Sequence, residues 1–400
     1  MRAFDSSEVL ATRVVLFTGK GGVGKTTLSA ASAVAAAAAG NRTLVMSTDP
    51  AHSLADVLDQ PIPAGGPTAL AENLWAQHID SRALLERSWR SVQEYLLDVL
   101  SSAGMDALHA EELTVLPGAE EILALLEVRD QVRSGSYDLV ILDCAPTAET
   151  LRLLALPEAL DWYMRRIWPT ERRVVTALRT PLAKATKMPM PDTKVLDAVE
   201  RLHADLTDVQ QVLTAPTSTV RLVLTPDKVV LAEARRTLTS LSLYGYRVDA
   251  AIANRIFATS DQDSWREGWA QAQQQRLVQA RSDMDPLPVL ESAYAAAEPV
   301  GSQALAAVSD AVYPAGDPLA LSPVDPPLMI DRLGEQIVVV LRLPLAAKDE
   351  VDLSERHGEL IVSSGAYRRV IALPSLLERY QIAGAGFVDG VLRVRFRPEE

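Results

Sequence analysis

Cysteine is nearly absent from this sequence, because Cys144 is the single one among 400 residues. One thiol cannot close an intramolecular disulfide, and it cannot supply the several cysteines of a structural zinc site. Histidines are also few, and they are scattered without metal-ligand spacing: His52, His78, His109, His203 and His357. We therefore predict no zinc site and a reducing, cytoplasmic environment.

Basic residues are also fewer than acidic ones. The formal net charge is -13, whereas nucleic-acid-binding proteins usually carry a basic face or domain. Residues 1–13 contain acids and lack the apolar stretch of a secretory signal. The most uniform apolar run, AASAVAAAAAG, is mostly alanine and far shorter than the ~20 strongly apolar residues of a membrane span. We predict neither nucleic-acid binding nor stable membrane insertion.

Short apolar runs alternate with longer helical patterns along the first three-quarters of the chain. The runs are continuously apolar, which is typical of strands in a parallel sheet that helices cover on both faces. The sequence therefore predicts a doubly wound α/β fold with a mostly parallel sheet. The predicted strands are RVVLFT (13–18), TLVMST (43–48), YDLVIL (137–142), VRLVLT (220–225) and VDAAIAN (248–254).

Two further segments interrupt or follow this pattern. Residues 151–215, within a predicted first domain of 1–312, contain helical stretches and five prolines, which predicts a helical insertion; ordinary surface helices are the alternative. Proline density from 313 to 326 predicts a linker, since proline resists helix and central strand. From 327 to 400 short strands alternate with turns, and Leu392, Val394 and Phe396 share one side of a period-two run. This part predicts a small all-β sandwich.

A phosphate-binding loop is indicated at GKGGVGKT (19–26), which satisfies G-x-x-x-x-G-K-[ST] between a predicted strand and a predicted helix. Glycines let backbone N–H groups approach phosphates, and the helix adds the positive end of its dipole. Lys25 is predicted to contact the β- and γ-phosphates of ATP, and the Thr26 hydroxyl to bind Mg²⁺. The complete predicted nucleotide-binding stretch comprises Gly19, Lys20, Gly21, Gly22, Val23, Gly24, Lys25, Thr26 and Thr27.

Three charged residues extend this site. Lys20 follows the first glycine directly, the mark of a deviant P-loop, in which this lysine typically reaches the nucleotide of a partner subunit across a dimer. Asp49 and Asp143 follow predicted strands, at the edge where open α/β sheets bind ligands. We predict that Asp49 orients the attacking water, with a place in the metal shell, and that Asp143 holds Mg²⁺.

Taken together, these motifs resemble the anion-transporting ATPase family, which includes arsenical-pump ATPases and the ATPases that target tail-anchored membrane proteins. GKGGVGKTT (19–27), DPAHSLAD (49–56), PGAEE (117–121) and DCAPTAETLR (143–152) are similar to its P-loop, first switch, intervening box and second switch. The resemblance covers residues 13–312 and implies that Asp49 is the catalytic aspartate. It also implies that Asn254 and the segment 288–305, beginning at Pro288, lie beside adenine.

The C-terminal part shows a second resemblance, and the second switch departs from the family pattern at three positions. LRLPLAAKDEVDLSERHGELIVSSGAYRRVIALP resembles an α-crystallin-like (small heat-shock) domain, a fusion found in bacterial members of the targeting branch. Ala148 and Glu149 replace the Gly-His of the second switch, which could slow hydrolysis or alter its coupling. Cys144 replaces a threonine, and a small buried thiol is favoured over a reactive one.

Four functions are compatible with these features. The first is an Mg-ATP-dependent dimeric chaperone or targeting factor for hydrophobic client helices, favoured by the insertion with its Met164, Met188 and Met190. The second is an ATPase of an arsenite-type pump, which one cysteine argues against because arsenite selects several thiolates. A partitioning ATPase on DNA or membrane is the third, disfavoured by the acidic charge. The fourth is a nucleotide switch with little turnover.

Overall fold

The computed structural model describes residues 12–48, 53–79, 119–144, 193–259, 263–313, 316–321, 324–334, 336–356, 358–373, 377 and 380–398. The chain divides into two compact units. The first unit takes residues 1–78, 131–152 and 212–400, and the second takes residues 79–130 and 153–211. In the described part of the chain, no helix combines the length and apolarity that a membrane span requires.

An eight-stranded sheet forms the centre of the first unit. Its strand order is β3-β4-β2-β5-β1-β6-β7-β8, and all neighbours are parallel except the antiparallel pair β3–β4. The strands are β1 (Arg13–Thr18), β2 (Thr43–Ser47), β3 (Thr68–Ala71), β4 (Leu74–His78), β5 (Leu139–Asp143), β6 (Ser218–Leu224), β7 (Val248–Ile256) and β8 (Val289–Ala293). The predicted mostly parallel α/β fold is confirmed.

Burial explains why the predicted strands are continuously apolar. Every residue of β2, β5 and β6 is buried, so neither face of these strands can carry solvated side chains. The pair β3–β4 and the short strand β8 were not predicted. In β3 half-buried and exposed residues alternate, which is typical of an antiparallel edge.

Seven helices are described. They are α1 (Lys25–Ala38), α2 (Ser53–Leu58), α3 (Ala119–Arg133), α4 (Thr193–Thr214), α5 (Lys228–Leu243), α6 (Ser264–Met284) and α7 (Gly301–Val312). The first of them, α1, is mostly alanine and serine, and ten of its residues are buried, seven of them in the apolar core beside the sheet. Small side chains therefore let this helix pack closely on the strands that carry the P-loop.

The second unit is helical in its described residues beyond Ile79, and these belong to α3 and α4. The Arg129 guanidinium lies 2.6 Å from the Asp205 carboxylate and 2.7 Å from the Asp130 carboxylate. Most of the predicted insertion 151–215, including its three methionines, lies outside the described residues. The unit also takes residues 79–130, which the sequence pattern had not separated from the sheet domain.

Residues 328–398 form two antiparallel sheets, as the all-β prediction requires. One has the order β14-β15-β10-β9 and the other β11-β12-β13. The strands are β9 (Leu328–Leu333), β10 (Gln336–Arg342), β11 (Val351–Arg356), β12 (Glu359–Ser364), β13 (Tyr367–Ala372), β14 (Tyr380–Val388) and β15 (Val391–Pro398). Leu392, Val394 and Phe396 are buried in the core between the sheets, which confirms their predicted shared side.

One helix of the sheet domain also belongs to this β core. Leu243, the last residue of α5, is fully buried in the cluster that contains the core strands of the β domain. The Thr239 hydroxyl donates to the Pro344 carbonyl at 2.5 Å, and the Arg369 guanidinium donates to the Leu243 carbonyl at 2.7 Å. The end of α5 is thus fixed to the β domain by both apolar and polar contacts.

The proline-rich stretch between the two parts packs on the sheet domain at its start. Tyr313 is buried, and its hydroxyl lies 2.8 Å from the Ser32 hydroxyl of α1. The buried Arg221 donates to the Pro318 carbonyl at 2.5 Å, and Arg13 donates to the Leu319 carbonyl at 3.0 Å. Carbonyls that proline leaves outside helix and sheet are satisfied here by arginine.

Candidate nucleotide site

The P-loop connects β1 to α1 and turns tightly at its glycines. At Gly19 (φ +153°) an added Cβ would lie 2.1 Å from the Val223 carbonyl oxygen, so only glycine fits against β6. Gly24 has φ +96° and precedes α1 directly, and an added Cβ would lie 2.3 Å from the Asn254 amide nitrogen. Among the described residues, nothing lies within 4 Å of a Cβ added at Gly21 or Gly22, and both glycines are exposed. The loop therefore packs on the protein at its two ends and presents an open middle at the N-terminus of a helix, the arrangement that binds phosphate.

Two lysines of the loop are held by different partners. The Lys25 ammonium is buried and donates to the carbonyl of Lys20 across the loop at 3.3 Å. The Lys20 ammonium instead lies 3.6 Å from the Glu233 carboxylate of α5 in the same chain. Lys25 is thus placed inside the loop, whereas Lys20 points to a neighbouring helix, and the contact of Lys25 with phosphate stays a prediction. Thr27 lies in the first turn of α1 and Val23 is buried.

A cluster of oxygen atoms lies beside the first turn of α1. The Thr26 hydroxyl donates to the Asp143 carboxylate at 2.7 Å and lies 3.4 Å from the Ser53 hydroxyl. The Ser47 hydroxyl donates to the same carboxylate oxygen at 3.3 Å. Asp143 is 1% exposed at the end of β5. Hydroxyl and carboxylate oxygens suit Mg²⁺, so Thr26 and Asp143 could hold the metal or its water ligands.

Asn254 contacts the phosphate loop directly. Its amide nitrogen donates to the Val23 carbonyl at 2.9 Å, and its amide oxygen accepts from the backbone N–H of Arg255 at 2.9 Å. The residue is buried near the end of β7, next to Gly24. Its contact with the loop was not foreseen, and its contact with adenine stays a prediction.

Pro288 lies three strands away from the strand that leads into the P-loop. It precedes β8, and its carbonyl accepts from the Ala251 N–H of β7. In the strand register Val289 pairs with Ala251, and Ala251 pairs with Leu222. Leu222 pairs in turn with Thr18, the last residue of β1, so Pro288 is about level with the end of β1. Its contact with adenine stays a prediction.

An aromatic group that the sequence analysis missed lies at the carboxyl ends of β7 and β8. Phe257 and Tyr294 stack with ring centroids 5.2 Å apart, and Trp265 lies against Phe257 at 6.3 Å. Trp265 is 65% exposed and Tyr294 is 53% exposed. The sequence could have indicated this group, because an aromatic residue directly follows each of the two strands.

Several predicted residues fall outside the described part of the chain. These are Asp49, the rest of the first switch up to residue 52, and residues 145–152 with Ala148 and Glu149. Cys144, just before them, is buried, and burial raises the pKa of its thiol far above the ordinary value. A neutral buried thiol is a poor nucleophile and a poor metal ligand, which supports the structural interpretation of this cysteine.

Comparison with known proteins adds a second line of evidence. Residues 12–314 match the family described as anion-transporting ATPase, and residues 334–396 match the HSP20-like domain found in ArsA. A Chlorobaculum tepidum protein named "Putative arsenical pump-driving ATPase" is 36% identical over 97% of this chain and 96% of its own length. Mycobacterium tuberculosis Protein Rv2184c is 34% identical over 98% of both chains. Pyrenophora tritici-repentis ATPase get3 is 29% identical over 61% of this chain and 74% of its own.

Proposed function

Because this chain belongs to the anion-transporting ATPase family, we propose that it is an Mg-ATP-dependent dimeric ATPase that binds hydrophobic segments of membrane proteins as a chaperone or targeting factor. The observation that carries the proposal is the joining of two parts. A P-loop ATPase, whose Lys20 matches the deviant pattern, is packed through the end of α5 into the core of an HSP20-like domain. ATP hydrolysis is the activity of the family, and the fused domain is similar to a chaperone fold.

Each residue of the site has a separate role in ATP hydrolysis. Lys25 and the N–H groups of the loop bind the phosphates, and the N-terminus of α1 adds its dipole. Thr26 and Asp143 would hold Mg²⁺, which when bound neutralises developing charge on the phosphates. Asp49 would orient the attacking water, and Lys20 would contact the nucleotide of the second subunit. Closure of the dimer would then rearrange the helical units that receive the client.

The arsenite-pump alternative is disfavoured by the single thiol. Arsenite needs several sulfur ligands held together, and this chain offers only Cys144. Burial of Cys144 and its raised pKa keep that thiol protonated. The partitioning alternative is disfavoured by the net charge of -13, because an acidic protein is not generally attracted to the phosphates of DNA. A cytoplasmic site of action accompanies the proposal.

The proposal predicts nucleotide-dependent binding of an apolar helix. A fluorescent peptide of ~20 mostly leucine and alanine residues should bind wild-type protein at least ~10-fold more tightly in ATP than in ADP. Fluorescence anisotropy measures the affinity. Asp49→Asn, which should bind ATP without turnover, is expected to keep the peptide bound.

The matched control is the same peptide with two central lysines, which should not bind. Equal affinity for both peptides, or no binding in either nucleotide, would remove the chaperone function. Stimulation of turnover by arsenite or antimonite in place of peptide binding would favour the pump.

A further inference from the structure

The side chain that is expected to act across the dimer is paired within its own subunit. The Lys20 ammonium lies 3.6 Å from the Glu233 carboxylate, and the side chains are 40% and 30% exposed. Glu233 lies on α5, whose residues pack against the beginning of the P-loop around a cavity of only about 10 Å³. The lysine is therefore directed toward α5 of its own chain.

The Lys20–Glu233 ion pair is weak enough for a phosphate group to replace it. An ion pair with both partners partly exposed is weak, because water screens it and two long side chains lose freedom. Phosphate oxygens make stronger, charge-assisted hydrogen bonds with an ammonium group. Glu233 can thus bias the position of Lys20 but cannot keep it once a nucleotide phosphate is within reach.

The helix that presents Glu233 is held at its other end. Leu243 lies ten residues further along α5, about 15 Å at helical rise, inside the core of the β domain. Thr239 and Arg369 add hydrogen bonds between α5 and this domain. The carboxylate is therefore carried by a helix that two domains fix in place.

We propose that Glu233 is a positioning residue that holds Lys20 on its own subunit until the nucleotide of a second subunit replaces it, with the C-terminal β domain fixing the helix that carries the carboxylate. This inference rests on the proposed dimeric ATPase. Glu233 does not contact the reacting atoms. It acts through Lys20, and its removal should make the lysine available earlier.

The first test needs no nucleotide and is independent of dimer formation. Reductive methylation of the folded protein, followed by peptide mass spectrometry, measures the reaction rate of each lysine amine. Lys20 should react about two- to fivefold faster in Glu233→Gln than in the wild type, as expected for loss of a weak ion pair. Lys228, exposed on the same helix, serves as the internal reference. An unchanged Lys20 rate would overturn the proposal.

The matched control breaks another ion pair of the same helix. Arg235 lies 3.6 Å from Asp283, the same separation as in the Lys20–Glu233 pair. Arg235→Gln should leave the methylation rate of Lys20 at the wild-type value. An equal acceleration in both variants would mean that general loosening of α5, and not Glu233, is responsible.

The second test measures self-association in ATP by light scattering. Glu233→Gln should half-associate at about two- to fivefold lower protein concentration than wild type, with an unchanged KM for ATP. In a Lys20→Gln background the same substitution should have no effect, because the two residues act as a pair. An effect that persists without Lys20 would overturn the proposal. If the wild type fails to associate in ATP, the proposed dimer is wrong, and the methylation rates alone decide whether Glu233 restrains Lys20.

Discussion

Replacing Arg221 with methionine is expected to lower the free energy of unfolding by about 3–5 kcal/mol, the cost of leaving a buried charge without its partner. Arg221 is 1% exposed, and its guanidinium lies 3.3 Å from the Asp249 carboxylate. Burial alone would lower the pKa of Arg221, but Tyr313 and Asp249 together raise it. The guanidinium also lies 5.0 Å from the centre of the Tyr313 ring and donates to the Pro318 carbonyl.

Denaturant unfolding followed by tryptophan fluorescence measures this change. The double variant Arg221→Met/Asp249→Asn should recover part of the loss, because it removes both buried charges. Arg42→Gln breaks the exposed pair with Asp138 and should leave the unfolding midpoint unchanged. A midpoint for Arg221→Met equal to that of Arg42→Gln would show that the network does not stabilise the fold.

Replacing Asp143 with asparagine is expected to raise the Mg²⁺ concentration for half-maximal ATP hydrolysis by about 10- to 100-fold, the usual effect of losing a residue that orients a metal ligand. The Asp143 carboxylate accepts from Thr26 at 2.7 Å and is buried. Asparagine keeps the shape of the side chain but loses its charge. The Thr26 hydroxyl and the metal would therefore lose the negative charge that holds them in position.

Titration of hydrolysis with Mg²⁺ measures the shift. Ser47→Ala is the matched control, since Ser47 contacts the same carboxylate at the longer distance of 3.3 Å but lies outside the P-loop. It should change the Mg²⁺ requirement by less than about threefold. Thr26→Ser keeps the hydroxyl and should stay close to the wild type. An unchanged Mg²⁺ requirement in Asp143→Asn would exclude this residue from the metal site.

The core strands of the parallel sheet were predictable because burial leaves its mark on each strand's own sequence. The core strands are apolar on both faces, and burial of every residue of β5 and β6 shows why. The same reasoning failed for β8, most of whose residues are half-buried and which is mixed in polarity. It also failed for residues 79–130, where a helical pattern alone does not reveal to which unit a helix belongs.

The phosphate loop was predictable because its glycine spacing is a recognisable motif, and Gly19 is required by a close contact with the Val223 carbonyl. Its supports were not predictable, since they come from distant parts of the chain. Asn254 reaches Val23 over 231 residues, and Glu233 reaches Lys20 from a separate helix. No periodicity or composition pairs such residues. The prolines of the linker predicted the absence of helix and strand, but not that Arg221 would bind the Pro318 carbonyl.

The central claim is that two subunits complete one another's ATPase site through Lys20. Its most direct test is the ATP hydrolysis rate per subunit, measured over a wide range of protein concentration, for the wild type and Lys20→Gln. We predict that the wild-type rate per subunit rises with concentration to a plateau, while Lys20→Gln stays low at every concentration. A wild-type rate per subunit that is independent of concentration and unchanged in Lys20→Gln would contradict the account.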